Sequence, residues 1–428
     1  MVKNLQRIAL ATVGCKVNQY ETQLIRERLE RAGYKIVPFS SGADVYIINT
    51  CSVTQTADGK SIDLIKRAFK KNSSAKILVT GCLVEADSER IKNKVPSCLI
   101  IKNSDKLKID TLLSLQKPSD DDFTIHSFFG HERAFVKVED GCDQFCSYCR
   151  IPYVRGNKIR SRKPEEVFSE IKQLYRAGYR EIVLTGVNLA LYGKDLNPPV
   201  SLTHLLERVS FCISEEGRIR LSSLEPHLIP EGLLDLMAST PFICPHLHLA
   251  FQSGDDEILQ RMGRKYTTSW LRELVGSIRQ KIPDAGLSGD VIVGFPGERE
   301  DNFYRTLQFI KEAGFHRLHI FPFSSRPETP ASKMKPKVSE RIKKQRGKIL
   351  KELSLNLSRE FIERFIGKNL PVLIESKRDV RTGYLTGYTH NYIKVLACYR
   401  NNINQLTGKI VQVKIIRAEP GYALGEIV

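Results

Sequence analysis

No stretch of this 428-residue chain approaches the roughly 20 consecutive apolar residues of a membrane span. No export leader is legible either. The run Ile8-Ala9-Leu10-Ala11-Thr12-Val13-Gly14-Cys15 is too short for a secretory apolar region, and its pattern is that of a buried strand. Acidic residues are in deficit, 48 against 66 Lys and Arg, for a formal net charge of +18. These absences argue against a membrane or exported protein and for a cytoplasmic one with a polyanionic partner. In such a setting ten cysteines do not suggest a disulfide framework, and they point to metal or catalytic use.

What is present is a folded chain, 41% apolar and 27% charged, long enough for two or three domains. The positive charge is concentrated late. Residues 331–360 hold ten Lys and Arg against three Asp and Glu, and residues 361–428 hold ten against five. A solvated helix face explains the first segment alone, whereas two adjoining basic segments in different structural contexts favour nucleic acid.

Residues 1–117 alternate strand and helix. Ile8–Val13, Val45–Asn49 and Lys76–Thr80 are β-branched runs, and the helix Glu21–Ala32 stops at Gly33, suited to a left-handed cap. That rhythm predicts a parallel sheet. A polar linker follows at Lys117–Asp122. Six further strands are expected at Ala134–Val138, Glu181–Thr185, Arg218–Ser222, His246–Phe251, Gly289–Val293 and Arg317–Phe321. Helices between them end at Ala177-Gly178 and Ala313-Gly314. Six parallel units are fewer than a complete barrel needs, so an open, partial (β/α)6 barrel is expected. After a basic helix around Arg341–Ser358, short strands at Pro371–Glu375, Tyr384–Tyr388, Tyr392–Leu396 and Gly408–Arg417 predict a small all-β barrel or sandwich. Tyr384, Tyr388, Tyr392 and Tyr399 lie among its basic residues, an arrangement suited to stacking on unpaired bases, although some must be core.

Two groups of cysteines carry chemistry. Cys142, Cys146 and Cys149 form a C-x3-C-x2-C triplet just after a predicted strand. Three thiolates so spaced can hold three corners of a cubane iron–sulfur cluster and leave its fourth iron open to a small molecule. Zinc is the competing metal, but a structural zinc site takes four protein ligands, and no further Cys or His lies within the next turn or two. Cys15, Cys51 and Cys82 are far apart in sequence, yet each closes a predicted strand. A parallel sheet places all carboxyl ends on one edge, so these thiols should converge as a second three-thiolate site, with Gly14 and Gly81 bending the chain beside it. Isolated buried cysteines are the alternative for each one singly, and the better reading for Cys98, Cys212, Cys244 and Cys398. Asn18, Gln19 and Asn49 either orient a ligand there or serve as turn residues.

The triplet, with an aromatic before its last cysteine, resembles the radical S-adenosylmethionine enzymes. Adding Cys15, Cys51, Cys82 and the β-rich tail, the whole chain resembles the methylthiotransferases of that superfamily. The resemblance includes Val138-Glu139-Asp140-Gly141-Cys142, Ile151-Pro152-Tyr153-Val154-Arg155-Gly156, Leu184-Thr185-Gly186-Val187-Asn188, Gln252-Ser253-Gly254 and Asp290-Val291-Ile292-Val293-Gly294-Phe295-Pro296-Gly297-Glu298. Thr12-Val13-Gly14-Cys15-Lys16-Val17-Asn18-Gln19-Tyr20-Glu21 is most similar to the branch acting on threonylcarbamoyladenosine in tRNA. Leu249-Ala250-Phe251-Gln252 departs from the family's frequent Pro-Leu-Gln and leaves the strand end there open.

The resemblance implies an N-terminal methylthiotransferase domain at 1–117, a radical core at 125–358 and a TRAM domain at 361–428. It implies S-adenosylmethionine and two [4Fe–4S] clusters as cofactors, one on Cys142, Cys146 and Cys149 and one on Cys15, Cys51 and Cys82. The first would yield a 5′-deoxyadenosyl radical to take hydrogen from C2 of the adenine, and the second would deliver the sulfur. Gly186, Glu225, Gln252, Ser253 and Arg264 are candidate contacts of S-adenosylmethionine. Gly186 could equally be a tight turn, Glu225 a helix cap and Arg264 a surface charge. Implied partners are the tRNA anticodon stem-loop and an electron donor such as flavodoxin or ferredoxin. The alternatives are an isopentenyladenosine or ribosomal-protein aspartate substrate, or a non-enzymatic iron–sulfur or zinc RNA-binding protein.

Overall fold

The computed structural model describes residues 6–113, 124–213, 216–398 and 405–428. The expected linker Lys117–Asp122 and Tyr399 lie outside them. The chain forms two compact units, each taken by itself below. The first comprises residues 1–129 with two later segments, Asp140–Gln144 and Cys149–Ile159. The second comprises the remainder.

The first unit is built on a parallel five-stranded sheet. Its spatial order is Lys35–Ile36, Arg7–Thr12, Val45–Thr50, Lys76–Gly81 and Leu99–Ile100. The middle strand is buried along its whole length, as its apolar run Val45–Ile48 requires. Helices Lys16–Arg31, Gln55–Lys71 and Cys82–Lys94 follow the three longer strands. The first of them starts five residues earlier than expected, directly after Cys15, whose backbone is extended. Gly33 has φ +84° and ends that helix in the left-handed conformation foreseen for it.

In the second unit all six expected core strands are present and parallel. The third is broken at Ser222. Its first part, Arg218–Leu221, pairs with Glu181–Thr185, and its second, Ser223–Leu224, pairs with His246–Gln252. Three strands therefore run Arg218–Leu221, Glu181–Thr185, Arg133–Lys137, and four run Ser223–Leu224, His246–Gln252, Gly286–Val293, Arg317–Pro322. The break lets one chain segment serve both sheets, which is how the curved, open barrel is made. Helix Glu340–Glu363 lies along the last strand, and Ser354 Oγ accepts from the Leu318 amide at 3.1 Å. An otherwise open sheet edge is thereby covered.

The tail is a closed five-stranded barrel of Asn369–Arg378, Leu385–Thr389, Lys394–Cys398, Tyr422–Ile427 and Ile410–Glu419. The last strand in sequence, Tyr422–Ile427, was not foreseen, and Tyr392 is a left-handed turn residue (φ +71°) rather than the start of a strand. Tyr388 and Tyr392 stack on each other with centroids 5.0 Å apart, and Arg220 and Arg317 lie over the Tyr392 ring. These two tyrosines thus serve the contact with the core.

A buried carboxylate organises that contact. Glu181 is fully buried and accepts from Arg218 Nε at 2.6 Å and Arg220 Nε at 2.7 Å, with Arg133 3.9 Å away. The same guanidiniums donate to the barrel's main chain: Arg218 to the Tyr388 and Pro371 carbonyls, Arg220 to those of His390 and Thr389. Burial opposes ionisation of Glu181, but the charges of Arg220 and Arg218 outweigh it and hold the carboxyl far below the usual range. Removing one member of such a set leaves buried charge uncompensated. Glu181→Gln should therefore destabilise this unit by about 3–5 kcal/mol, read as earlier thermal unfolding. An unchanged melt would show that the guanidiniums do not depend on this carboxylate.

Candidate functional site

The carboxyl edge of the N-terminal sheet brings Cys15, Cys51 and Cys82 together, because the strands preceding them are adjacent. Two glycines make the approach possible. Gly14 has φ +115°, and a Cβ there would come 2.9 Å from Cys51 Sγ. Gly81 has φ +99°, and its Cβ would meet the Thr50 carbonyl at 2.3 Å. No other residue type fits either position. Cys15 precedes the helix Lys16–Arg31 and Cys82 opens Cys82–Lys94, so both sit at helix N-termini, where the backbone dipole favours thiolate. Cys51 and Cys82 are buried and Cys15 is exposed. Burial pushes the Cys51 thiol up to about 12 and raises Cys82 as well, and the charges of the neighbouring cysteines add to both.

Buried thiols of this kind ionise when a metal centre supplies the charge. Among the described residues, the ligand atoms of these cysteines do not all close to within 4.8 Å, the spacing of a single ion's ligands. The donor set, the glycine cradle and the wider spacing fit a cluster better than a mononuclear ion. Asn18 and Asn49 prove to be clamps. Asn18 Nδ2 donates to the Val13 and Thr50 carbonyls at 2.9 and 3.0 Å, and Asn49 Nδ2 donates to Asn18 O at 3.1 Å. Asn49 Oδ1 and Thr80 Oγ1 are buried at this edge with no protein partner.

Sequence reasoning missed the charged network beneath this edge. Glu21, 1% exposed, binds Arg155 through both guanidinium nitrogens at 3.0 Å and Lys106 at 2.5 Å. Arg155 also reaches Asp140 at 3.1 Å and Asn18 Oδ1. Arg150 donates to Ser52 Oγ, which donates to Asp58. The segment after Cys149 is thereby fastened to the helix that follows Cys15 and to the residue after Cys51. Arg155 stands in the quoted Ile151–Gly156 motif, which was the available signal, but its partner lies 134 residues away.

Cys142 and Cys149 belong to segments of the first unit and Cys146 to the second, so their grouping rests on their spacing in the chain. Within the first unit, Cys142 N donates to Gly156 O at 3.2 Å. Within the second, Ser147 is held by the Met262 and Arg261 carbonyls and by the Ala331 amide. Phe145 between them has φ +46°, a left-handed conformation that costs a bulky residue of order 1–3 kcal/mol.

Of the five S-adenosylmethionine candidates, the structure joins Glu225 and Arg264. They form a buried ion pair, and Arg264 also donates to Tyr148 Oη at 2.6 Å and to the Ala250 carbonyl at 3.0 Å. Burial opposes the Glu225 charge, yet its bond to His227 and the nearby Arg264 hold it below the usual carboxylate range. Both charges act on the Cys146 thiol, which burial raises. Gln252 closes its strand at a register shift with φ +66°, so the unusual Leu249–Gln252 run ends in a strained bulge. Ser253 is committed to Thr306 and to the Asp255 amide. Gly186 is filled against by Glu139, whose carboxylate accepts from the Asn188 amide at 2.8 Å.

Comparison with known proteins agrees with this architecture. Residues 7–103 match the uncharacterized protein family UPF0004, 136–310 the radical SAM superfamily and 363–428 the TRAM domain. The threonylcarbamoyladenosine tRNA methylthiotransferase MtaB of Bacillus subtilis is 36% identical, over 98% of this chain and 96% of its own. The chain belongs to the radical S-adenosylmethionine methylthiotransferase family. The MtaB of Thermotoga maritima is 40% identical over 91% of both chains. A tRNA-2-methylthio-N(6)-dimethylallyladenosine synthase of Clostridium botulinum is 34% identical over 97% and 96%. Among solved structures, the radical S-adenosylmethionine methyltransferase TsrM of Kitasatospora setae matches with a TM-score of 0.55 at 13% identity, covering 77% of each chain, a likeness of fold. Family membership carries with it S-adenosylmethionine and [4Fe–4S] clusters as cofactors.

Gly81→Ala tests the cradle. It should lower iron and sulfide per chain, after anaerobic reconstitution, to the content of a single cluster. Full content in that variant would show that the strand ends need not approach so closely.

Proposed function

We propose that this enzyme adds a methylthio group to C2 of N6-threonylcarbamoyladenosine beside the anticodon of tRNA, with Cys142, Cys146 and Cys149 holding one cluster and Cys15, Cys51 and Cys82 the other. The observation that carries the chemistry is the meeting of three strand-end thiols at a glycine cradle, apart from the C-x3-C-x2-C loop. One such site serves radical generation, and a second three-thiolate site is what sulfur insertion adds to it. The substrate reading is supported by the similarity to the B. subtilis and T. maritima enzymes over nearly their full length. The similarity to the C. botulinum synthase supports a second reading, on isopentenyladenosine.

When bound, the two clusters and S-adenosylmethionine supply a 5′-deoxyadenosyl radical and a transferable sulfur. The chain's own residues bind and hold. The six cysteines ligate, and Gly14 and Gly81 make room. Glu225 and Arg264 stiffen the strand end next to Cys146, since they pair with each other while His227 holds Glu225 and Tyr148 and the Ala250 carbonyl hold Arg264. The Arg155 guanidinium places positive charge near Cys82, which favours its thiolate. The basic tail barrel, set on the core by Arg218 and Arg220, offers the polyanion its electrostatic footing. A cytoplasmic site of action and a flavodoxin- or ferredoxin-like electron donor complete the proposal.

Replacing Cys142, Cys146 and Cys149 by Ala should abolish release of 5′-deoxyadenosine under reducing, anaerobic conditions. Replacing Cys15, Cys51 and Cys82 should spare that release and stop thiolation, so product from this second variant would refute the donor role. Mass spectrometry of tRNA nucleosides with and without the gene decides the branch. The methylthio form of threonylcarbamoyladenosine should vanish while the isopentenyl form persists, and the reverse pattern would move the enzyme to the other branch.

A further inference from the structure

The inner wall of the second unit carries a polar chain that the proposed reaction does not use. Alternation along three neighbouring strands points His246 and His248, Ser288 and Asp290, and His319 the same way. The parallel register sets His248 opposite Ser288 and Asp290 opposite His319. The result is continuous. His246 Nε2 lies 2.8 Å from Ser288 Oγ, which lies 2.8 Å from His248 Nδ1. His248 Nε2 is 2.9 Å from Asp290 Oδ1, and His319 Nδ1 is 3.3 Å from the same oxygen. The His248 and His319 rings face each other with centroids 4.8 Å apart.

We propose that His248, Asp290 and His319 bind one divalent transition-metal ion, at a site distinct from the cysteines. Their three ligand atoms all lie within 4.8 Å of one another, the spacing a single ion requires. Two imidazoles and one carboxylate form a set that borderline divalent ions favour. The supporting contacts match those of a metal-bound histidine, whose second ring nitrogen is held by a polar neighbour that fixes its orientation. Here Ser288 does this for His248, and His246 in turn fixes Ser288. His248 is buried while His319 is 45% exposed, which leaves a way in from solvent. With three protein ligands the ion keeps open positions for oxygen donors such as water or a carboxylate.

The test uses the cluster-loaded enzyme in its oxidised, EPR-silent state and Mn2+ as the probe, because thiolates compete poorly for this harder ion. Loss of the six-line signal of free Mn2+ should report one ion bound per chain. Asp290→Asn and His319→Ala should each abolish that binding. Ser288→Ala, which keeps all three ligands, should weaken it about tenfold. Unchanged iron content and melting temperature would confirm that the variants are folded. Absence of stoichiometric binding in the parent enzyme would overturn the proposal and leave an ion-paired His–Asp–His cluster. Equal binding by the Asp290 and His319 variants would overturn it too, by placing the ion elsewhere. Neither result bears on the cysteine clusters or on the tRNA substrate.

Discussion

Parallel strands deliver their carboxyl ends to one edge, and three of those ends here bring a cysteine each to the same place. That close approach is the constraint on which the N-terminal unit depends. It requires glycine at two of the three ends, because any side chain at 14 or 81 would occupy the space of Cys51 or of the Thr50 backbone. Strand order makes it possible, and the helix starts and the asparagine clamps accompany it. The helices begin where they do because the chain turns at these positions, and Asn18 and Asn49 stitch the turned ends together.

The two units handle buried charge in the same way. In the first, Glu21 is surrounded by Arg155 and Lys106; in the second, Glu181 is surrounded by Arg218, Arg220 and Arg133. An isolated buried carboxylate would take up a proton, whereas one held by several guanidinium or ammonium groups remains charged and becomes a fixed point. Each fixed point joins segments remote in sequence: the post-Cys149 segment to the first helix in one unit, and the core strands to the tail barrel in the other. Net stabilisation from such groups is modest, and their effect is to select one arrangement of these segments.

Much of this was legible in the sequence, for identifiable reasons. Strands rich in β-branched residues, such as Val45–Thr50, announce themselves, and so do helices that stop at Ala-Gly. The six core strands fell where expected because strand–helix alternation is a local pattern. The two-residue strands Lys35–Ile36 and Leu99–Ile100 have no periodicity to read. The break at Ser222 was equally silent, since one strand serving two sheets is a matter of tertiary curvature. The meeting of Cys15, Cys51 and Cys82 could be read because topology converts strand ends into neighbours. The Glu21–Arg155 and Glu181–Arg220 networks could not, because charged pairs far apart in sequence leave no local trace. Tyr388 and Tyr392 looked like base-stacking platforms, and the structure commits them to arginines of the core, Arg133 over Tyr388 and Arg220 over Tyr392.

The joint between core and tail barrel has a consequence for how such a protein can change. Arg218 and Arg220 grip the barrel by its peptide carbonyls at Pro371, Tyr388, Thr389 and His390, groups that every amino acid supplies. A seam fastened through the main chain tolerates substitution in the barrel's outward residues. The barrel's exposed face can thus be rewritten by mutation while the domain stays anchored in place.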